Sequence, residues 1–266
     1  MEMCIRTDRI ELFKGADRFS NQPHNHGHWY QVTVPIQGIC HFTMENKPYQ
    51  LCGDQGLIQH PGTEHFLHLD TAASVIIIKF REDALQLVGE PGACTEFTEK
   101  QRMNPHELSR RFREWTSELM FAESIAPLAA QETEMRVLDY LRNTLSGSHG
   151  SGSRADFRGG LVRDVHLNQV LEYMHEYYTE AVSIEDLAAI AGQSRYHFMR
   201  TFRKCIGVTP YQYLLRLRVG DAKAKLRNTS VSVADISCSL GFSSVSQFHR
   251  IFLKMAGMTP GEFRRG

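Results

Sequence analysis

The chain has 266 residues, 42% of them apolar and 23% charged, and its 30 Lys/Arg balance 30 Asp/Glu. That length suits two domains with real cores, and the composition excludes a disordered, collagen-like or disulfide-stapled chain. No apolar run reaches membrane length, and the six cysteines (4, 40, 52, 94, 205, 238) form no C-x-x-C, which points to a reduced cytoplasmic protein with no membrane partner. The zero net charge hides an asymmetry. Residues 161–266 hold 14 Lys/Arg against 9 Asp/Glu, leaving 16 against 21 for residues 1–160, so the C-terminal part is the one expected to meet phosphate.

Residues 4–81 read as short strands separated by turns. Tyr30, Val32, Val34 and Ile36 alternate with Gln31, Thr33 and Pro35. Gly38 punctuates, Cys40–Met44 forms another run, and Glu45–Pro48 suggests a hairpin turn. Further runs lie at Gly56–His60, His65–Leu69 and Ser74–Phe80, a spacing that argues for a small barrel or sandwich. His24-x-His26, Gln31, Gly38, Gly56, Pro61-Gly62 and His65 resemble the two sequence motifs of the cupin barrel. Residues 1–100 are therefore expected to be a cupin-like barrel. Cys40 and Cys52 read as buried thiols.

Seven histidines fall between residues 24 and 68, at 24, 26, 28, 41, 60, 65 and 68. Imidazoles two apart on a strand point the same way, so His24 and His26 suit one divalent metal with His65 arriving from a neighbouring strand. Metal-binding cupins usually place Glu where this chain has Gln31, a neutral and poorer ligand. His26 and Gln31 are five apart, so on an unbroken strand they face opposite sides and convergence needs a bulge. Two readings stand: a metal on His24, His26 and His65, or contacts from His24, His26, Gln31 and His65 to an organic small-molecule effector.

Residues 101–145 turn helical. Asn104-Pro105 opens a segment with Leu108, Phe112, Trp115 and Leu119 at three- or four-residue intervals, and Pro127 opens another with Val137, Leu138, Leu141 and Leu145. The Gly/Ser-rich stretch at residues 146–160 reads as a flexible linker.

Residues 161–266 contain one pattern written twice. SIEDLAAIAG (Ser183–Gly192) and SVADISCSLG (Ser232–Gly241) share a Ser that can cap a helix, an acid at its third position and a closing Gly. Phe198–Pro210 and Phe248–Pro260 then share F-x-R-x-F-x-K-x-x-G-x-T-P, with the offset raised from 49 to 50. Each copy is helix, turn, helix. In the second helix of each copy, Phe198, Phe202 and Ile206, or Phe248, Phe252 and Met255, form the packing face. The opposite faces present Arg195, Tyr196, Met199, Arg200 and Arg203 in one copy, and Ser246, Gln247, His249, Arg250 and Lys254 in the other. These side chains suit base edges and phosphates in a DNA major groove, although Ser244-x-x-Gln247 is also a capping box. Thr-Pro starts a further helix in each copy, and Pro210–Arg227, with Leu214, Leu217 and Ala224 at helical spacing and Arg216, Arg218, Lys223 and Lys225 around them, reads as a long rod between the copies.

This tandem resembles the DNA-binding domain of the AraC/XylS family of bacterial transcription regulators over Val162–Arg265. The resemblance implies an α+β multidomain protein: a cupin-like barrel, a helical segment that makes an antiparallel homodimer contact, and an all-α domain of two helix-turn-helix units joined by a long helix. It further implies a sequence-specific regulator, an activator by family habit, that binds a bipartite double-stranded promoter site, contacts RNA polymerase and responds to an effector in the barrel. DNA contacts fall on Arg195, Tyr196, Met199, Arg200, Arg203, Ser246, Gln247, Arg250 and Lys254. The alternative is a metal-dependent cupin enzyme fused to a DNA-binding domain. Against catalysis stand Gln31 and the absence of any other acid-base constellation, so no catalytic residue is expected.

Overall fold

The computed structural model describes residues 2–84, 97–122, 127–147 and 162–265. The chain divides into two compact units, residues 1–117 with 134–155 and residues 118–133 with 156–266. The division runs through the helical segment expected at 101–145.

Nine strands among the described residues build the first unit: β1 Met3–Arg6, β2 Ile10–Ala16, β3 Trp29–Gln37, β4 Cys40–Met44, β5 Lys47–Leu51, β6 Gln55–Gln59, β7 His65–Leu69, β8 Ser74–Arg81 and β9 Lys100–Arg102. They form two sheets, ordered β1-β2-β8-β3-β6-β9 and β5-β4-β7, with every neighbouring pair antiparallel. The expected turn after Met44 is made by Glu45 and Asn46 at φ 47° and 62°, the positive values a two-residue hairpin turn needs. Gly38, at φ +70°, lies so close to Ala73 that a Cβ on it would sit 2.8 Å from the Ala73 Cβ. Pro35 has no N–H to give its ladder, and the β3–β8 register shifts between Pro35 and Gln37.

The alternation read along β3 has a different meaning in the structure. Gln31 through Pro35 are all buried, because the sheet is covered on both faces. Cross-strand partners share a face. Thr33 pairs with Leu57 and Ile77, and Gln31 with Gln59 and Lys79, so the polar residues of β3 turn toward the interior rather than to solvent. Leu57 and Ile77 belong in turn to the apolar core, with Phe42, Leu67 and Val75. In the second sheet the period of two holds: Cys40, Phe42 and Met44 of β4 and His65, Leu67 and Leu69 of β7 are buried, and the residues between them are not. Cys40 is buried with its thiol pushed up to about 12 by desolvation, while Cys52 is exposed, against the expectation for it.

Helices α1 (Pro105–Ala122) and α2 (Pro127–Thr144) follow. Asn104 caps α1 through Oδ1, which accepts from His106 and Glu107 N–H. Leu108, Phe112, Trp115, Leu119, Val137, Leu138, Leu141 and Leu145 are all buried, as their spacing requires. Of the expected linker, only Ser146 and Gly147 are among the described residues. They run beside the barrel: Ser146 O accepts from Thr98 N at 3.1 Å, and Gly147 bridges Phe97.

The second unit contains α3 (Val162–Tyr177), α4 (Ile184–Ile190), α5 (Arg195–Ile206), α6 (Pro210–Asn228), α7 (Val233–Ser239), α8 (Val245–Ala256) and α9 (Pro260–Arg265). Ser183, Ser194, Thr209, Ser232 and Ser244 each accept a backbone N–H as N-caps. Gly207 and Gly257 close α5 and α8 in the left-handed conformation at φ 81° and 77°. Each copy of the repeat has its own core. The first gathers Val170, Met174, Ile184, Leu187, Phe198, Phe202 and Leu214, and the second Val219, Ala222, Leu226, Ile236, Phe248, Ile251 and Phe252. Burying each Phe contributes about 1.5–3 kcal/mol.

Helix α6 supplies both cores, and its 19 residues span roughly 28 Å. Two phases differ from expectation. Ala224 is exposed and Ala222 packs instead, while Met255 is 38% exposed and Ile251 takes the core position. The larger correction concerns Arg218, expected on the polar surround of the rod. It is buried, and its guanidinium donates to Tyr178 O at 2.6 Å, Glu180 O at 2.8 Å and Gly241 O at 2.6 Å.

Candidate effector site and DNA-binding face

The interior polar cluster of the barrel begins where the segment before β3 runs beside β7. His24 and His65 form an isolated antiparallel bridge with backbone hydrogen bonds of 3.1 and 2.9 Å, and His26 O accepts from Gly62 N at 2.9 Å. The three imidazoles meet there: ring centroids lie 4.8 Å (His24–His26), 4.6 Å (His24–His65) and 5.3 Å (His26–His65) apart. One ligand atom from each falls within 4.8 Å of the others.

His26 and Gln31 do converge, with His26 Nε2 3.2 Å from Gln31 Oε1. No bulge is needed, because His26 precedes the first residue of β3 and the turn at Gly27 and His28 redirects the chain.

Every ring of the triad has one nitrogen on a carbonyl oxygen: His24 Nδ1 on Gln22 O at 2.8 Å, His65 Nδ1 on Thr63 O at 2.9 Å, and His26 Nε2 on the Gln31 carboxamide. A carbonyl only accepts, so the anchored nitrogen carries a proton, and it is the other nitrogen of each ring that can offer a lone pair to a ligand. The remaining nitrogen of His65, Nε2, is buried with no hydrogen-bond partner among the described residues. Burial holds His65 and His26 down at about 4, with the Lys79 ammonium adding to the effect, so both rings are neutral near pH 7. Carbonyl-anchored, convergent imidazoles are the donor set a divalent transition metal takes. The residues present therefore fit such an ion.

Behind His26 a neutral chain runs inward. Gln31 Nε2 donates to Thr33 Oγ1 at 3.2 Å, and Thr33 Oγ1 donates to Gln59 Oε1 at 3.1 Å. Gln59 Nε2 has no hydrogen-bond partner among the described residues. Sequence reasoning did not single out Thr33 or Gln59. Their period with Gln31 and their β3–β6 pairing were the signal that carried them to the same face. Lys79 is held by Glu11 at 2.7 Å, which offsets its charge beside the cluster.

In the second unit the expected DNA-facing residues separate into three groups. Arg200, Arg203, Ser246, Arg250 and Lys254 are exposed on α5 and α8. Arg200 Nη1 reaches Tyr196 Oη at 3.4 Å and its guanidinium lies 5.6 Å from the Tyr196 ring, so Tyr196 props it outward. Arg195 is paired with Glu185 of α4, and Met199 is half-buried against the first core. Gln247 is buried, and its Oε1 accepts from Ser243 N and Ser243 Oγ, both at 3.2 Å. Its side chain closes the turn before its own helix. Two pairs of helices thus present cations and hydrogen-bond donors from matched positions on one rod.

A ligand-binding sheet domain followed by paired helix-turn-helix units defines a DNA-binding transcription regulator. Comparison with known proteins agrees. The AraC-like ligand binding domain profile matches residues 11–138 and the helix-turn-helix domain profile residues 187–266. An uncharacterized HTH-type transcriptional regulator, YdiP of Escherichia coli (strain K12), is 23% identical over 270 residues, covering 98% of this chain and 87% of its own length. The HTH-type transcriptional activator RhaS of Enterobacter sp. (strain 638) is 25% identical over 256 residues, 92% of this chain and 88% of its own. The bifunctional transcriptional activator/DNA repair enzyme AdaA of Bacillus subtilis (strain 168) is 36% identical over 96 residues, and that match spans only 46% of its length. The chain belongs to the AraC family of transcriptional regulators. Among the described residues, no helix is long and apolar enough to cross a membrane.

Proposed function

We propose that the protein is an effector-responsive activator that acts in the cytoplasm as a homodimer. It binds a bipartite promoter site through α5 and α8 and contacts RNA polymerase there. The observation that carries this reading is the repeat itself: Arg200 and Arg250 occupy matched, exposed places on two helices whose cores share α6. A guanidinium can bond guanine bidentately, and a rod of roughly 28 Å suits two successive major-groove segments about 34 Å apart. Lys204 and Lys254, exposed at matched places, supply phosphate contacts. Residues 1–100 form the effector domain, residues 101–145 the dimerising helices and residues 146–160 the tether to the DNA-binding domain.

His24, His26 and His65 hold a divalent transition metal, which supplies a Lewis-acidic centre. Gln31, Thr33 and Gln59 then orient a polar organic effector by hydrogen bonds. The barrel senses rather than turns over. A metal-dependent enzyme fused to a DNA-binding domain is the competing reading, and substrate turnover lost on His24→Ala would replace ours.

The test is anisotropy of a promoter fragment with the full chain and with Arg200→Ala and Arg250→Ala. Each variant is expected to lose about 1–3 kcal/mol of specific affinity with circular dichroism unchanged. Unaltered affinity in both would remove the assignment. Metal content of the untagged protein, against His24→Ala/His26→Ala, tests the inner site separately.

A further inference from the structure

The barrel histidines divide by strand parity. His65 and His68 lie three apart on β7, so one is buried in the interior while the other stands on the outer face. On β4 the buried Cys40, Phe42 and Met44 leave His41 on that same outer face. The register sets His41 directly opposite His68. Their rings stack with centroids 4.9 Å apart and planes 19° from parallel. Asp70, just beyond the end of β7, faces both: His41 Nε2 is 3.3 Å from Oδ2 and His68 Nε2 is 3.8 Å from Oδ1.

We propose that His41, His68 and Asp70 form a second divalent transition-metal site on the outer face of the β5-β4-β7 sheet, fitted to Zn(II), Ni(II) or Cu(II). Two imidazoles and a carboxylate are a borderline donor set of the kind these ions select. Ligands held at about 2.0–2.1 Å around a tetrahedral ion stand roughly 3.3–3.5 Å from one another. The His41 Nε2–Asp70 Oδ2 hydrogen bond of 3.3 Å already has that spacing, and one donor atom from each of the three residues lies within 4.8 Å of the others. Side chains of about half exposure can close the remaining gap without moving the strands, and water can complete the coordination.

Arg18 is anchored beside the cluster: its Nε donates to Thr71 Oγ1 at 3.2 Å, and its backbone N–H to Asp70 O at 3.4 Å. An ion here would clip β4 to β7. Because β7 also carries His65 inward, the outer ion would stiffen the strand that supports the inner triad.

The site is independent of the inner one, and so is its test. Untagged full-length chain, stripped and then titrated with Zn(II) and Cu(II), is compared with His41→Ala/His68→Ala, with Asp70→Asn and with His24→Ala/His26→Ala. The expected result is one equivalent fewer in His41→Ala/His68→Ala than in the parent, at least tenfold weaker binding in Asp70→Asn, and retention of this equivalent in His24→Ala/His26→Ala. Zn(II) should also raise the Tm of the parent more than that of His41→Ala/His68→Ala. Equal stoichiometry in parent and His41→Ala/His68→Ala, with both folded by circular dichroism, overturns the proposal, as does a parent that binds no ion. Loss of all binding in His24→Ala/His26→Ala overturns it too, by assigning the ion to the interior alone.

Discussion

In the first helix-turn-helix unit α5 carries Arg195, Arg200, Arg203 and Lys204, whereas α8 of the second carries Arg250 and Lys254 and has Leu253 where the first has Arg203. The supports differ as well. Residues of α2 serve the first copy: Leu128 joins its core, Gln131 Oε1 accepts from Ile184 N at 2.9 Å and Glu132 Oε1 from Tyr211 N at 2.6 Å. The second copy is closed by its own C-terminus, where Phe263 meets Phe252 and lies under Arg227 and Lys223. One scaffold has therefore acquired two surfaces. The first is strongly cationic and is held by α2, and the second is more apolar and is closed by α9, with Tyr178 packed on its core.

The sharpest way to break this pairing is Gly241→Ala. Gly241 sits at φ +69°, and a Cβ there would lie within 2.2 Å of Thr179 O. The left-handed backbone costs about 1–2 kcal/mol for a residue with a Cβ and forced overpacking about 1–3 more, so a loss of roughly 2–5 kcal/mol is expected in urea unfolding. Next comes Arg218→Met, which strands the carbonyls of Tyr178, Glu180 and Gly241 together. Each acceptor left unsatisfied costs about 1–3 kcal/mol, but removing the guanidinium also removes its own desolvation cost, so the net loss should be roughly 2–4 kcal/mol, and binding to a bipartite site should weaken more than binding to a half-site. Equal weakening on both DNAs would mean that Arg218 does not couple the copies. Gln131→Ala removes a cap from α4 and is expected to cost about 1 kcal/mol, read as faster amide exchange in α4 than in α7. The smallest structural effect belongs to Leu253→Arg, within about 0.5 kcal/mol of parent stability because Leu253 is 47% exposed. It should nonetheless steepen the salt dependence of DNA binding by about 0.9 in log–log slope if α8 faces phosphate as α5 does.

Much of the second unit was legible because its signals are local. A Ser followed three residues later by an acid, a Gly past the last apolar residue and a Phe every fourth position fix helix ends and faces without reference to anything distant. Arg218 was not legible, since only the return of the chain at Tyr178 and Gly241 makes its burial favourable, and an isolated helix would leave it in water. Met255 and Ile251 differ by one turn of a 12-residue helix, and either satisfies an i, i+4 or i, i+3 pattern with Phe248 and Phe252. In the barrel, alternation placed β3, but it carries no sign for which face is wet. Gln31 was read as an effector contact through its place in the histidine motif, but nothing in the alternation marked Thr33 as its partner in the interior. Convergence of His24 and His26 with His65 was readable as residue types, yet its geometry depends on a two-residue turn outside any strand. His41 and His68 were counted among the seven histidines but not paired, because their meeting is a matter of register between β4 and β7, two strands separated in the chain by β5 and β6.

Helix α6 acts as a phase shaft. Leu214 belongs to one core and Val219, Ala222 and Leu226 to the other, so each residue added between Leu214 and Val219 would turn the second reading head by about 100° and advance it about 1.5 Å. Seven added residues would nearly restore the angle and change only the reach. The repeat bears the mark of this constraint: its single extra residue falls in the turn between α7 and α8, where Phe242, Ser243 and Ser244 stand against Gln193 and Ser194. A turn can absorb such a change as a detour, but the shaft would transmit it to the DNA.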